Sequence, residues 1–180
     1  MAKLIGKRYA LALFEAGQEL EKLDSFKEEL NYITTILNEE SDLVTILEHP
    51  KISTKDKKEL IMNVFQKSVS EEMLNFLYVI IDKGREKNIL DINKEYKYLY
   101  NEKKNIVEAV AVTAVPMDKG SQDKLTVVLS EKLGKTVKIK NEIDKSILGG
   151  VLLKMENKII DGTIKGRLES MEKTIKGAKV

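Results

Sequence analysis

The sequence predicts an α+β chain, with an N-terminal six-helix bundle over residues 1–105 followed by a small βαββα domain over residues 106–180. Apolar residues recur at helical spacing from the start of the chain to about residue 103. At Ile106-Val-Glu-Ala-Val-Ala-Val-Thr-Ala-Val115 the composition turns to β-branched residues, which suit a pleated, half-buried surface. From Val137 the pattern alternates, with Val137 and Ile139 on one face and Lys138 and Lys140 on the other, as a strand with one buried side requires.

The first helix runs from Lys3 to Leu20. Ile5, Tyr9, Ala12, Leu13, Ala16 and Leu20 form one apolar stripe, and Leu4, Leu11 and Phe14 form a second. A surface helix of a bundle needs one stripe. The wide arc therefore means either burial on two sides by the bundle or a second face that docks a foreign helix, and spacing alone leaves both open. A second helix sets Phe26, Leu30, Ile33 and Leu37 on one face. Ser41 is placed to cap a short third helix, Asp42 to Glu48, which Pro50 stops because a residue before proline is pushed out of the helical region. Ser53 and Asp56 open a fourth helix as a capping box does, and it carries Leu60, Ile61, Val64 and Phe65. Ser70-Glu71-Glu72 opens a fifth, with acids placed at the positive end of its dipole. The body of that helix, Met73 to Ile81, is apolar almost all round, so it is central to the bundle or shared with a partner. Gly84 closes it. A sixth helix, Ile89 to Lys103, aligns Ile89, Ile92, Tyr96 and Leu99.

In the second part, Pro116 ends the first strand. Asp118 is placed to cap a helix bearing Leu125, Val128, Leu129 and Leu133, which Gly134 closes. Gly149-Gly150 then interrupts the apolar run Ile147 to Leu153. A glycine pair in a strand pattern marks a bulge or a close approach of another backbone. The stretch from Val137 is read as one such interrupted strand, turned at Asn157-Lys158 into a short strand Ile159-Ile160. Asp161-Gly162-Thr163 ends the sheet, and Thr163 caps a last helix containing Leu168 and Met171. A unit this small buries too little surface to be more than marginal alone, and so leans on a partner.

Composition narrows the chemistry. Thirty-one basic residues are offset by 29 acidic ones to a net charge of +2, and only Arg8, Arg85 and Arg167 are arginines, which disfavours phosphate and base recognition. The chain has no Cys, so it has no thiolate nucleophile or cysteine metal site, and this suits a reducing compartment. The basic start Met1-Ala-Lys-Leu-Ile-Gly-Lys-Arg8 has no apolar run of signal-peptide length. No stretch approaches the roughly twenty apolar residues of a spanning helix. His49, the only histidine, precedes Pro50 in a turn and cannot supply a triad or a zinc site by itself. Carboxylate pairs such as Glu28-Glu29 and Glu39-Glu40 read as solvated helix faces. The glycines match neither Gly-Lys-Ser/Thr nor Gly-x-Gly-x-x-Gly. The sequence therefore implies no catalytic residue, no metal and no cofactor.

Ordered motifs carry a resemblance. The spacing of Val137, Ile143-Asp144, Ile147, Gly149-Gly150, Lys154 and Glu156, and the tail Ile160-Asp161-Gly162-Thr163-Ile164-Lys165-Gly166-Arg167-Leu168-Glu169, resemble the F-type ATP synthase delta subunit family. That family includes the mitochondrial oligomycin-sensitivity-conferring protein. Arg8-Tyr9-Ala10-Leu11-Ala12-Leu13-Phe14 resembles its opening motif, and Lys83-Gly84-Arg85 its helix junction. The resemblance implies a non-catalytic peripheral-stalk (stator) subunit. It would link the catalytic head to the stalk, so that the head resists rotor torque during proton-driven ATP synthesis. It implies that the bundle docks the N-terminal helix of an alpha subunit between its first and fifth helices, through Arg8, Tyr9, Ala12, Leu13, Phe14, Val79 and Lys83. It implies that the C-terminal domain contacts the b subunits near Gly149, Gly150, Asp161, Gly162, Gly166 and Arg167. On this reading the protein is peripheral, on the cytoplasmic side of a bacterial cell membrane, reaching the membrane only through its complex and binding no nucleic acid. An RNA-binding helical-bundle factor is the alternative; it predicts an Arg-rich face, which the sequence lacks. A small transferase or hydrolase would need a convergent polar pocket, for which the sequence offers no residues.

Overall fold

The computed structural model describes residues 2–155 and 158–177, with side chains described for 4–155 and 158–171. The chain forms two compact units that divide between Asn101 and Glu102. The first is helical: α1 (Ala2–Glu19), α2 (Leu23–Glu39), α3 (Ser41–Glu48), α4 (Thr54–Phe65), α5 (Glu71–Asp82) and most of α6 (Ile89–Lys103). Local chemistry sets most of these boundaries. Ser53 Oγ accepts the Asp56 amide at 3.2 Å at the start of α4, and Ser70 Oγ accepts the Met73 amide at 3.3 Å at the start of α5. Gly84, at φ +61°, ends α5 in the left-handed region, with its own amide donating to Ile81 and the Arg85 amide to Ile80. Ser41 departs from expectation: it is the first residue of α3, Glu40 occupies the cap position, and no side chain caps that helix.

The bundle core follows the expected periodicity on α2 and α5; on α4 Ile61 and Phe65 are buried, Leu60 is half-buried and Val64 is exposed. Phe26, Leu30, Ile33, Ile61, Phe65, Met73, Leu77, Ile80, Ile92 and Tyr96 are all fully buried. Each contributes roughly 1.5–3 kcal/mol by leaving water. On α6 the buried face is Ile89, Ile92, Tyr96 and Tyr100, with Leu99 half-buried. The Tyr96 hydroxyl is satisfied inside, donating to the Leu23 carbonyl at 3.1 Å.

The second unit carries β1 (Ile106–Thr113), α7 (Lys119–Leu133), β2 (Thr136–Ile143), β3 (Val151–Met155), β4 (Lys158–Asp161) and α8 (Ile164–Gly177). Strand order is β2-β1-β3-β4, with β1 parallel to β2 and antiparallel to β3, and β3 antiparallel to β4. A parallel pair needs a long crossover, and α7 supplies it, capped by Asp118 and closed by Gly134 at φ +62°. Its Leu129 packs with Ala109, Ala111, Val137 and Leu153 on one face of the sheet.

The segment read as one interrupted strand is two strands, on opposite sides of β1, so the unit is βαβββα. Asp144 Oδ1 accepts the Ser146 amide at 2.9 Å and opens a 3-10 turn, Lys145–Ile147. Leu148 (φ +65°) and Gly150 (φ +80°) then leave the extended region, so the apolar run cannot continue as a strand. β3 and β4 pair through Met155 and Lys158; the hairpin expected at Asn157-Lys158 falls partly on Asn157, outside the described residues.

Candidate functional site

The helix α1 packs on the bundle by a face that mixes small residues with two large ones. Gly6, Ala10, Leu13, Phe14 and Gly17 form its buried face. A Cβ at Gly17 would lie 3.1 Å from both Leu23 and Phe26, and one at Gly6 3.0 Å from the Asp91 Cβ. This seating splits the stripe expected from spacing. Leu13 faces inward, Ile5, Tyr9 and Ala16 are half-buried, and Ala12 and Leu20 are exposed. Leu4 and Leu11 of the second stripe are also exposed, whereas Phe14 belongs to the core, edge-on to Tyr96 with ring centroids 6.0 Å apart.

An open apolar groove of about 240 Å³ lies between α1 and α5. Ala12, Leu13, Ala16 and Leu20 line it from the α1 side, Glu72, Asn75, Phe76 and Val79 from α5, and Phe26 of α2 completes the lining. Val79 is 47% exposed, which is unusual for a β-branched residue in the most apolar helix of the bundle. Among the described lining residues Glu72 alone is charged. Its Oε1 accepts from Lys22 Nζ at 2.7 Å, and this contact holds the carboxyl below the usual glutamate range. The bond joins the chain just past α1 to the first turn of α5, so the two helices run antiparallel along the groove. At the other end, the turn Glu86–Asn88 after α5 packs against α1.

Of the residues expected in a helix-docking surface, the structure brings Ala12, Leu13 and Val79 together in this groove. Arg8 and Lys83 are exposed beyond its lining, Tyr9 is half-buried, and Phe14 is turned into the core. The expected docking set left out Ala16 and Leu20 on the α1 side and Phe26, Glu72, Asn75 and Phe76. The apolar body of α5 signalled Phe76, but Glu72 read only as a helix-dipole acid.

In the second unit, Gly150 and Gly162 prove to be points of backbone approach, while a Cβ at Gly149 or Gly166 would meet the side chain of Ile164 or Asp161. At Gly150 a Cβ would stand 2.4 Å from the Gly162 carbonyl oxygen and 3.0 Å from Thr163 Cα. The Gly162 amide donates to Val151 at 3.0 Å, and the Ile164 amide to Gly149 at 3.0 Å. Asp161 Oδ1 accepts the Thr163 amide at 2.8 Å, which holds that carboxyl low. Thr163 Oγ1 in turn accepts the Gly166 amide at 2.9 Å, the expected cap of α8. A Cβ at Gly166 would collide with the Asp161 carboxylate at 2.4 Å. These residues shape the start of α8 and offer little side-chain surface. The exposed surface beside them is apolar: Ile164, Leu168 and Met171 recur at helical spacing on α8, with Leu148, Ile159 and Ile160 in the adjoining turn and edge strand. Arg167 is exposed on α8.

The described residues hold no group of three metal-ligating His, Asp or Glu side chains, and no helix long and apolar enough to cross a membrane. His49 is exposed, its Nδ1 accepting the Lys51 amide at 3.2 Å.

Comparison with known proteins agrees with the motifs. The family model described as ATP synthase delta (OSCP) subunit matches residues 5–175. The ATP synthase subunit delta of Alkaliphilus metalliredigens is 46% identical over 96% of each chain. That of Clostridioides difficile is 40% identical over 97% of each. A chain in the cryo-EM structure of the Toxoplasma gondii mitochondrial ATP synthase hexamer shares the fold, with a TM-score of 0.77 at 17% identity, over 94% of this chain and 96% of that one. The RNA-binding alternative finds no support among these relatives.

Proposed function

The chain belongs to the ATP synthase delta (OSCP) subunit family and is a non-catalytic subunit of the peripheral stalk; from that premise we propose that its two units grip two different partners. Residues 1–105 dock the N-terminal helix of an alpha subunit in the α1–α5 groove. Residues 106–180 hold the b subunits at the apolar face of α8 and β4. The protein then sits at the cytoplasmic face of a bacterial membrane, held there through its complex, and transmits tension rather than chemistry.

The observation that carries the reading is the groove itself. Two antiparallel helices leave Ala12, Ala16, Leu20, Phe76 and Val79 open in one concave strip, shaped to take the apolar face of a third helix. The exposed stripe Ile164, Leu168 and Met171 supports the second contact. In this role Gly149, Gly150, Asp161, Gly162 and Gly166 act by positioning α8, and Arg167 by lying on the contact helix.

Calorimetric titration of the full-length chain with the N-terminal peptide of the cognate alpha subunit and with the C-terminal segment of b tests both contacts. Each binds in the presence of the other. Val79→Asp abolishes the first titration and leaves the second, while Leu168→Asp does the reverse. Peptides that compete for one site, or binding indifferent to both substitutions, overturn the assignment.

A further inference from the structure

The groove is apolar along its floor but polar along its length. At one end the lining carries Glu72, held by Lys22, and the exposed Glu71 and Glu19 lie in the adjoining turns of α5 and α1. Past the other end are Arg8 of α1 and Lys83 just after α5, both exposed. Asp82 at that end is engaged by Lys58 at 2.7 Å. Arg8 precedes Ala12 by four residues and Lys83 follows Val79 by four, so each continues a groove-lining row by one turn. Because α1 and α5 run antiparallel, like charges gather at each end.

We propose that this polarity selects the direction in which a helix docks: the occupant sets a basic side chain on Glu72, displacing Lys22, and an acidic side chain beside Arg8 and Lys83. The inference rests on the reading that the groove receives a helix. An apolar strip alone accepts an amphipathic helix in either direction, whereas a reversed helix here meets like charge at both ends. Glu72 is suited to the exchange. It is the charged member of the groove lining, and its bond to Lys22 is solvent-exposed, with side chains 38% and 41% accessible. Such pairs are weak, so trading one cation for another costs little.

The test uses the full-length chain and three peptides: the N-terminal segment of the cognate alpha subunit, the same segment with its acidic and basic residues interchanged, and one with every charge replaced by Gln. The native peptide binds about tenfold more tightly than the interchanged one at low salt, and the gap closes as salt rises. In E72K/K83E the order of the two peptides reverses. Lys22→Gln raises affinity for the native peptide about two- to fivefold and leaves the Gln peptide unchanged, a result that a merely structural Lys22–Glu72 latch would not give. Should the double variant fail to fold by circular dichroism, E72Q and K83Q each narrow the native–interchanged gap. Equal binding of native and interchanged peptides overturns this inference alone; failure of all three to bind overturns it together with the groove reading.

Discussion

The two units solve the problem of staying folded in different ways. The first buries bulk: its ten largest fully buried side chains, Tyr96 and Phe26 among them, form a continuous helical core. The second has a thin core: Ala109, Ala111, Leu129, Val137 and Leu153 form one buried cluster, and Val112 and Ile147 are buried outside it. It adds close backbone contact at Gly150–Gly162 and local bonds in which the Asp118, Asp144 and Asp161 carboxylates accept from amides two or three residues on. A thick core tolerates an open groove on its surface. A thin one leaves much of its apolar surface outside, and in a unit of this size that surface serves best when a partner covers it.

If that contrast holds, truncating a large core side chain is the severest change in the bundle and adding one methyl is the severest in the second unit. Phe65→Ala, at a position with no solvent exposure, is expected to destabilise the bundle by about 3–5 kcal/mol. Gly150→Ala meets both a positive φ and a backbone oxygen 2.4 Å from the new carbon, and is expected to cost about 3 kcal/mol. Hydrogen exchange separates the two: the first variant loses protection in α2, α4 and α5, the second in β3, β4 and α8. Loss spread evenly over both units in either variant breaks the comparison.

The same contrast divides what the sequence made legible from what it did not. The starts of α4, α5 and α7 and the ends of α5 and α7 were readable because Ser53, Ser70, Asp118, Gly84 and Gly134 act within a few residues of themselves. The seat of α1 was not, because Gly6, Ala10 and Gly17 give no apolar signal although they allow the closest packing. The break between β2 and β3 was hidden because it turns partly on Leu148, a residue type that gives no hint of a positive φ. The glycine pair reads as a bulge within one strand; instead the strand ends before it, and Gly150 is a point of close backbone approach. The composition of the groove was missed in part because Phe26 of α2 joins α1 and α5 only in three dimensions, and because Glu72 is a charged residue in an apolar row.

Titration sharpens the comparison, because among the described residues the raised groups are tyrosines of the bundle, while the second unit's shifted groups are all lowered carboxylates, as Glu72 is in the bundle. In the bundle the Tyr100 hydroxyl donates to Asp24, with Lys27 Nζ 4.1 Å from its ring centroid, and its pKa is pushed up to about 12, first by that bond and then by burial. The unfolded chain ionises near pH 10, so it releases the proton first. This contribution is complete below pH 10 and disappears as pH rises towards 12. In the second unit Asp118, Asp144 and Asp161 lie below the ordinary value, held by bonds from Ser121, Ser146 and Thr163 respectively. Their contribution is present above about pH 4 and is lost as pH falls through the depressed values. Protection is therefore expected to fall first in α2 and α6 at alkaline pH, and first around β3, β4 and α8 in acid. Tyr100→Phe shrinks the alkaline limb and leaves the acid limb unchanged; what remains on the alkaline side comes from Tyr96, whose pKa is raised by burial.

The smallest expected effect bears most directly on function. Leu148 is 67% exposed and sits at φ +65°, ψ −32°, a region that side chains other than glycine enter only under strain. It has no packing role that repays the strain, and it adjoins the glycine pair that positions α8. Leu148→Gly relieves the backbone but enlarges the freedom of the unfolded chain, so the net gain in stability is about 1 kcal/mol or less. If the exposed leucine is there for a partner, the same variant binds the b segment more weakly while melting at a slightly higher temperature. Stability and affinity moving in opposite directions is the signature of a residue kept for docking. A variant that melts lower and binds unchanged would place Leu148 among the structural residues of the turn, and would leave Ile164, Leu168 and Met171 to carry the contact.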